Sequence, residues 1–340
     1  MVDITVLLPV YNGARYLQQT LDALSQQSFR NFEVLCIDDS SSDTSADILQ
    51  AHVAKDARFK YLYTGTNLGS AAKAANFAAP HARGARFVYS SQDDLFSPDW
   101  LEKLHSRAQK TGADAILPDV EFFREDQGAQ NKAPKRIIGF RGDRDARLTG
   151  REAFAASLDW TIPGNALWPI SFLQDKGFAT FGAFADEYTV RRFFLACNDV
   201  AFCDGVFFYR QDNTAAITKK PSSARLDEAD NALRVWRLAI EAGVEASVHG
   251  PYAVRTLRTA IRMQAMIITN PSMHAESARI LAVWQEMQTT AFRASCMEGL
   301  RLNGGAVRRA VYARAQASER SFLLLAHLSA WVAQRKKSKA

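Results

Sequence analysis

Phe32-Glu33-Val34-Leu35-Cys36-Ile37-Asp38-Asp39-Ser40-Ser41-Ser42-Asp43 changes character in its middle. The first half is an apolar run the length of one buried strand, and the second half is acids and hydroxyls. A strand ending on adjacent aspartates, followed by helix-capping side chains, predicts a strand–loop–helix step. Here Ser40-Ser41-Ser42-Asp43 would cap a helix reaching about Lys55. The same step recurs around it. Ile4-Thr5-Val6-Leu7-Leu8 reads as a strand ahead of a helix over 14–27, whose apolar period is Tyr16, Leu17, Leu21 and Leu24. Phe59–Tyr63 reads as a strand before Asn67-Leu68-Gly69 and an Ala-rich helix over 70–82. Arg86-Phe87-Val88-Tyr89 reads as a strand that stops at Ser91-Gln92-Asp93-Asp94, after which Ser97 and Pro98 stand as cap and first-turn proline.

This alternation argues an α/β fold with a doubly wound, mostly parallel sheet. Such sheets bind ligands outside the carboxyl ends of their strands. Three of those ends carry polar clusters, Tyr11-Asn12, Asp38-Asp39 and Asp93-Asp94, which are expected to converge. A lone pair of aspartates is most often a solvated or capping feature. Two pairs at strand ends, with Pro9-Val10-Tyr11-Asn12 on a third, point to Mg²⁺ or Mn²⁺ shared between carboxylates and a substrate diphosphate. Asp93 and Asp94 then form the metal and ribose end, while Asp38 and Asp39 suit the base and sugar of a nucleotide.

The bulk properties agree with an ordinary globular protein. The 340 residues are 47% hydrophobic and 23% charged, enough for one large α/β domain with an extension or for two domains. Cys36, Cys197, Cys203 and Cys296 are scattered without metal-ligand spacing, which suits free thiols in a reducing compartment. The six histidines fall in no motif. Met1-Val2-Asp3 leads straight into a strand, with no signal-peptide pattern, and no stretch reaches the roughly 18 apolar residues of a spanning helix. The formal charge of +6 is uneven, because residues 301–340 hold nine Lys/Arg against Glu319 alone. That makes a basic tail of +8 on a remainder of −2. Between Glu121 and Gly150 the sequence is charged and Gly-rich, and reads as a long mobile loop over the site. From Ala224 the pattern is helical, with helices expected over 225–243, 251–269, 274–290 and 306–334.

Pro9-Val10-Tyr11-Asn12, Ile37-Asp38-Asp39-Ser40-Ser41-Ser42-Asp43, Asn67-Leu68-Gly69 with Ala75-Asn76, and Gln92-Asp93-Asp94 together resemble glycosyltransferase family 2 over about residues 3–215. The resemblance implies a GT-A-like domain over residues 1–215, a helical extension with a basic tail over 216–340, and inverting, nucleotide-sugar-dependent transfer with Mn²⁺ or Mg²⁺. It implies that Pro9 and Tyr11 pack on the nucleobase, that Asp39 bonds the base with Asp38 in support, and that Lys73 lies near the donor phosphates. Asp93 would contact the ribose or sugar and Asp94 the metal. Ser91 stands where many members carry a further aspartate, so the metal rests on Asp94 and the diphosphate. Asp186-Glu187 resembles the family's acidic pair that supplies the catalytic base, in reversed order, with Asp186 preferred and Glu187 the alternative. Tyr209-Arg210 resembles a Tyr-Arg element whose arginine would reach the diphosphate. Asp212 replaces the histidine often found there, so no third metal ligand is expected from it. Trp160 and Trp168, around Pro163-Gly164-Asn165, lie at the expected acceptor side, where ring stacking on a sugar competes with the commoner core role.

The resemblance further implies a UDP-sugar donor and a saccharide or lipid-linked saccharide acceptor in bacterial surface-polysaccharide assembly. The place would be the cytoplasm or the inner face of its membrane. Phe322–Val332 followed by Arg335-Lys336-Lys337 reads as a final helix packed on the domain, with peripheral membrane contact or self-association as the alternatives. No aromatic–basic interleaving supports nucleic-acid binding. Neither a GxGxxG after the first strand nor a P-loop is present. The rival readings are a metal-dependent nucleotidyltransferase and a degenerate binding module of the same fold.

Overall fold

A computed structural model describes residues 2–125, 134–216, 219–303 and 305–337. The chain forms two compact units, Met1–Phe181 with Ala185–Asn213, and Gly182–Phe184 with Thr214–Ala340.

The first unit is built on β1 (Ile4–Val10), β2 (Phe32–Asp38), β3 (Phe59–Tyr63) and β4 (Arg86–Tyr89), with α1 (Ala14–Ser25), α2 (Ser45–Val53) and α3 (Ala71–Ala78) between them. After β4 come β5 (Leu95–Phe96), α4 (Trp100–Thr111), β6 (Ala115–Phe123), β7 (Lys135–Ile137), α5 (Gly150–Ser157), β8 (Trp168–Pro169), α6 (Ala185–Ala196) and β9 (Val200–Arg210). The main sheet has the order β3-β2-β1-β4-β8, parallel except for β8, so the order reverses between β1 and β4. A crevice at such a reversal is where open α/β sheets take ligands. β1 and β2 are buried along their whole length, as strands covered on both faces must be. A smaller sheet, β5-β9-β6-β7, lies alongside. Its β6–β9 register shifts between Leu117 and Asp119, around Pro118, which has no N–H to give the ladder.

The charged stretch after Glu121 is irregular over most of its described length, as expected, but a strand pair interrupts it. β6 runs on through it to Phe123, and β7 returns antiparallel, with Glu121 opposite Arg136 in both register and ion pair. Beyond β7, Gly139 N–H and the Arg144 guanidinium both donate to buried Asp119, at 3.0 Å each. The charges are paired cross-strand, so composition alone misled. Residues 126–133 of that expectation lie outside the described residues. Two capping assignments also change. The N-cap of α2 is Thr44, and the N-cap of α4 is Asp99 with Pro98 ahead of it, neither with a side-chain cap bond.

The second unit is helical, with α7 (Asp227–Glu241), α8 (Ala246–Thr269), α9 (Ser277–Glu286), α10 (Thr290–Asn303), α11 (Ala306–Ala317) and α12 (Glu319–Lys337). α8 touches α7, α9, α10 and α12. Helix α10 was not expected; Gly299, four residues before its end, weakens the helical pattern. The glycine is there for contact: a Cβ on Gly299 would lie 2.2 Å from Gly250 O, where α10 crosses α8. α8 begins five residues before Pro251, which it carries in its second turn. The expected long final helix is broken at Ser318, whose φ of −144° is extended. α12 buries Phe322, Ala326 and Ala330 on one side, the packing reading of that segment. The side chains of Lys336 and Lys337, and all of Lys339, lie outside the described residues. All four cysteines are buried free thiols. No helix among the described residues is long and apolar enough to cross a membrane.

Gly299→Ala tests the α8–α10 crossing. Helix propensity alone would favour alanine by about 1 kcal/mol. The clash with Gly250 should reverse the sign and cost about 1–3 kcal/mol of unfolding free energy in denaturant titration. A stabilised variant would refute the close approach.

Candidate active site

The rim is assembled from backbone turns that hold one another. Tyr11 and Asn12 follow β1, and the Gln92 amide grips Tyr11 from both sides, accepting from its N–H at 2.8 Å and donating to its C=O at 3.1 Å. Gly13 makes room for this, since a Cβ there would sit 2.4 Å from Gln92 Oε1. Asn12 has φ +49°, and its Oδ1 accepts from Ser42 N–H at 2.8 Å. Ser45 Oγ and Asp43 Oδ2 accept from Gly13 N–H and Ala14 N–H. Asp43, in the run expected to cap α2, thus accepts both from Ala14 N–H at the start of α1 and, through Oδ1, from Ser45 N–H at the start of α2 at 3.0 Å.

Asp38 and Asp39 are both buried, with separate tasks. Asp38 accepts from Ser41 N–H at 2.9 Å and Tyr61 O–H at 2.7 Å, so it supports the turn from behind. Burial, and then this bond to Asp38, push the Tyr61 phenol up to about 12. Asp39 N–H donates to Val10 O, and its Oδ1 accepts from Leu68 N–H at 2.8 Å and Thr64 O–H at 3.2 Å. The Asp-Asp and Asn67-Leu68-Gly69 motifs thus meet at one carboxylate, which leaves Oδ2 with no protein donor among the described residues. Pro9 is buried within β1, Tyr11 is 49% exposed at the rim, and Lys73 is exposed in the first turn of α3, which Ser70 caps.

The third cluster is clamped by the end of β9. Asp94 is 2% exposed, and its Oδ1 accepts from Arg210 N–H at 3.1 Å. Desolvation, then the adjacent Asp93 charge, hold the Asp94 carboxyl well above the usual range, against hydrogen bonds from Arg210 and Ser91. Asp93 O accepts from Arg210 Nε at 2.7 Å, and Asp93 Oδ2 accepts from Asn213 Nδ2 at 2.7 Å. The expected phosphate role of Arg210 is corrected here. Its guanidinium is enclosed between Tyr16, 4.2 Å from the ring centroid, and Phe123, 4.7 Å away, and it donates to Gln19 and Glu125. It positions the acid turn from inside. Asp212 faces this arginine, 3.6 Å from Nη1.

Asp186 and Glu187 open α6 beside a cavity of about 150 Å³ that Tyr89, Trp160, Asn165 and Tyr209 also line. Desolvation first, then Glu187, push the Asp186 carboxyl up to about 7. Glu187 is ion-paired with Arg191 one turn on. Trp160 has φ +65°, a strained setting for a bulky residue. Trp168 is buried against Phe172, Phe193 and Phe194, a core position from which it also lines this cavity.

Sequence reasoning missed the residues that join these clusters. Tyr209 carries a phenol raised by burial and then, in turn, by Asp94, Asp93, Glu187 and Asp186. Tyr89 is raised by burial and by Asp186 and Asp94. Both tyrosines therefore stand within electrostatic reach of the strand-end and the α6 acids. Asn76 closes the loop after β8 by accepting from Phe178 N–H and donating to Phe178 O, at 2.7 Å each. Only its place in the Ala75-Asn76 motif hinted at a role.

Among the described residues, no three His, Cys, Asp or Glu side chains gather to hold a metal by protein ligands alone. Asp93 and Asp94 nevertheless fit a hard divalent cation of the kind completed by substrate phosphates. They are adjacent carboxylates, one of them desolvated beside a like charge, a condition that a cation relieves.

Residues 5–162 match the family model described as Glycosyl transferase family 2. The chain is 26% identical over 221 residues to Glycosyltransferase GlyG of Streptococcus pneumoniae serotype 4, covering 61% of this chain and 70% of the relative. Three further curated glycosyltransferases are matched over 40%, 18% and 39% of their own lengths. Among solved structures, S. aureus TarS 1–349 in complex with UDP-GlcNAc superposes with a TM-score of 0.70 at 16% identity, over 96% of this chain and 90% of that one. Mannosyltransferase PcManGT from Pyrobaculum calidifontis, in complex with GDP-Man and Mn²⁺, gives 0.51 at 18% identity, over 96% and 86%. The expected fold is the observed one.

Arg210→Ala discriminates a buried clamp from a phosphate contact at the surface. Stripping a buried cation from its acids should cost about 3–5 kcal/mol of stability without any ligand present. An unchanged unfolding midpoint would return Arg210 to the surface role.

Proposed function

The chain belongs to glycosyltransferase family 2 through residues 5–162, and on that footing we propose an inverting transfer from a nucleoside-diphosphate sugar, UDP-linked by preference. The sugar is a hexose or N-acetylhexosamine, and it goes to a hydroxyl of a saccharide or lipid-linked saccharide in surface-polysaccharide assembly. One observation carries the reading: Ser91, at the head of the Ser91–Asp94 strand end, lines one cavity with Asp186, Glu187, Tyr89 and Tyr209, so the strand-end acids and the α6 acids stand around the same space.

Each residue then has a task that its surroundings suit. Tyr11, pinned by Gln92, offers its ring to the nucleobase, and the unengaged oxygen of Asp39 accepts from a base N–H. Asp38 keeps that turn rigid. Asp93 and Asp94 hold the cation, which when bound offsets the charge of the departing diphosphate. Lys73 is the exposed cation available to the phosphates. The acceptor oxygen attacks the anomeric carbon from the face opposite the diphosphate. A bond forms between them, the bond from that carbon to the phosphate oxygen breaks, and its electron pair leaves with the diphosphate. The hydroxyl proton passes to Asp186. A carboxyl poised near neutral pH is the better base here, and Glu187 is already held by Arg191. Trp160 and Asn165 line the space for the acceptor.

A panel of nucleotide sugars, titrated with Mn²⁺ or with EDTA, tests the donor: UDP-sugars should bind only with the cation, and Asp94→Ala should abolish that binding. No UDP-sugar binding with Mn²⁺ present would end the donor assignment. Asp186→Asn should keep donor binding while transfer falls about 10²–10⁴-fold. Because the base works deprotonated, kcat/KM should rise with pH through an inflection near 7 and be lost on the acid side. Full transfer by Asp186→Asn would move the base to another group.

A further inference from the structure

The helical unit carries a second site, unrelated to the transfer chemistry. Arg255, Arg258 and Arg262 recur at helical spacing on α8 and are all exposed, so they share one face. They line an open groove of about 1110 Å³ that runs between α8 and α12, and Lys219 and Arg225 add two more cations to it. The one acid in its described lining, Glu228, is consumed by an ion pair with Arg262. Arg225 Nε is buried without a hydrogen-bond partner among the described residues. The remaining lining is largely apolar, with Ile261, Met266, Leu325, Leu328 and Val332.

The apolar wall continues out of the groove along α12. Leu324, Leu328, Trp331 and Val332 are 62%, 51%, 50% and 44% exposed, on the side opposite buried Phe322, Ala326 and Ala330. Arg335 stacks its guanidinium 4.0 Å over Trp331, at the basic end of that stripe. Aliphatic side chains and a tryptophan facing water beside a row of arginines form the pattern of a helix that lies in a lipid interface. The cations fit a phosphate, and the aliphatic wall fits hydrocarbon. A neutral sugar would use neither. A nucleic acid would use the cations and leave the aliphatic wall wet.

We infer that this groove docks an anionic phospholipid of a bilayer surface, its phosphate on the α8 arginines and its chains along α12. Sedimentation of the full chain with vesicles tests it, using phosphatidylcholine alone and an equal mixture with phosphatidylglycerol. The chain should sediment with the anionic vesicles and be released by salt. Each cation near such a surface contributes roughly fivefold, so Arg255→Gln with Arg258→Gln should weaken partitioning about 30-fold. The Arg255→Lys, Arg258→Lys pair should retain most of the binding, and exposed Leu328→Asp should lose it. Equal binding to neutral vesicles, or unchanged binding by the Gln pair, would overturn the assignment. So would a dimer that Leu328→Asp splits while vesicles bind nothing, because the face would then belong to a second copy.

Discussion

Two carboxylates in one desolvated turn repel each other, and the Asp93-Asp94 turn depends on what the end of β9 does about it. Arg210 supplies a backbone N–H to Asp94 and its Nε to the Asp93 carbonyl, while Asn213 holds the Asp93 carboxylate. The guanidinium that does this is itself removed from water, between Tyr16 of α1 and Phe123 of β6, and needs Gln19 and Glu125 to satisfy it. Its Nη1 makes no hydrogen bond among the described residues and is held by charge alone, 3.2 Å from Glu125 and 3.6 Å from Asp212. One side chain therefore links the turn after β4 in the main sheet to β6 and β9 in the smaller one. The smaller sheet is in this sense the support of the acid turn, and its irregular β6–β9 register at Pro118 lies within the same pair of strands.

The strands and the strand-end acids were legible because they obey local rules. A buried parallel strand must be apolar along its length, and a polar cluster at its end stands out against it. The β6–β7 pair inside Glu121–Gly150 was not legible, since a charge on a strand reads as loop until its cross-strand partner is known; Glu121 has Arg136, and Asp119 has Arg144. The Ser40–Asp43 run was read for one helix where it serves two, because capping chemistry reveals a donor to be satisfied and not how many helices share the run. Here Asp43 serves both helices, its Oδ2 accepting from Ala14 N–H at the start of α1 and its Oδ1 from Ser45 N–H at the start of α2. Arg210 departs from its expectation for one reason: a guanidinium in a family-like position looks like a ligand contact, and only burial shows that its surface is already enclosed.

Rigidity at the rim comes from the same backbone bonds. Asn12 and Ser40 both hold positive φ, at 49° and 59°, and neither is a glycine. Such conformations persist where the surroundings over-determine them. Asn12 is fixed by Ser41 and Ser42, and Ser40 lies between Asp39, tied to Val10 and Leu68, and Ser41, tied to Asp38. Trp160, at φ +65°, repeats the pattern on the cavity side. A pocket built this way is shaped before any ligand arrives, which lowers the ordering cost of binding.

The order of the two acids that open α6 decides how they differ. Both stand in the first turn, where the helix dipole favours the charged form. Yet Asp186 is raised, so desolvation and the neighbouring charge outweigh the dipole. Glu187 lies four residues before Arg191, the spacing at which an acid and a base meet on one helical face with the acid toward the N-terminus. Its longer side chain reaches that arginine and forms the ion pair. The shorter acid, one residue earlier, is left without that partner in the drier seat. Both positions line the cavity, so exchanging the two residue types would change which acid has the reach to pair with Arg191. The reversal from the family's usual order therefore assigns pairing to one carboxylate and a near-neutral proton affinity to the other.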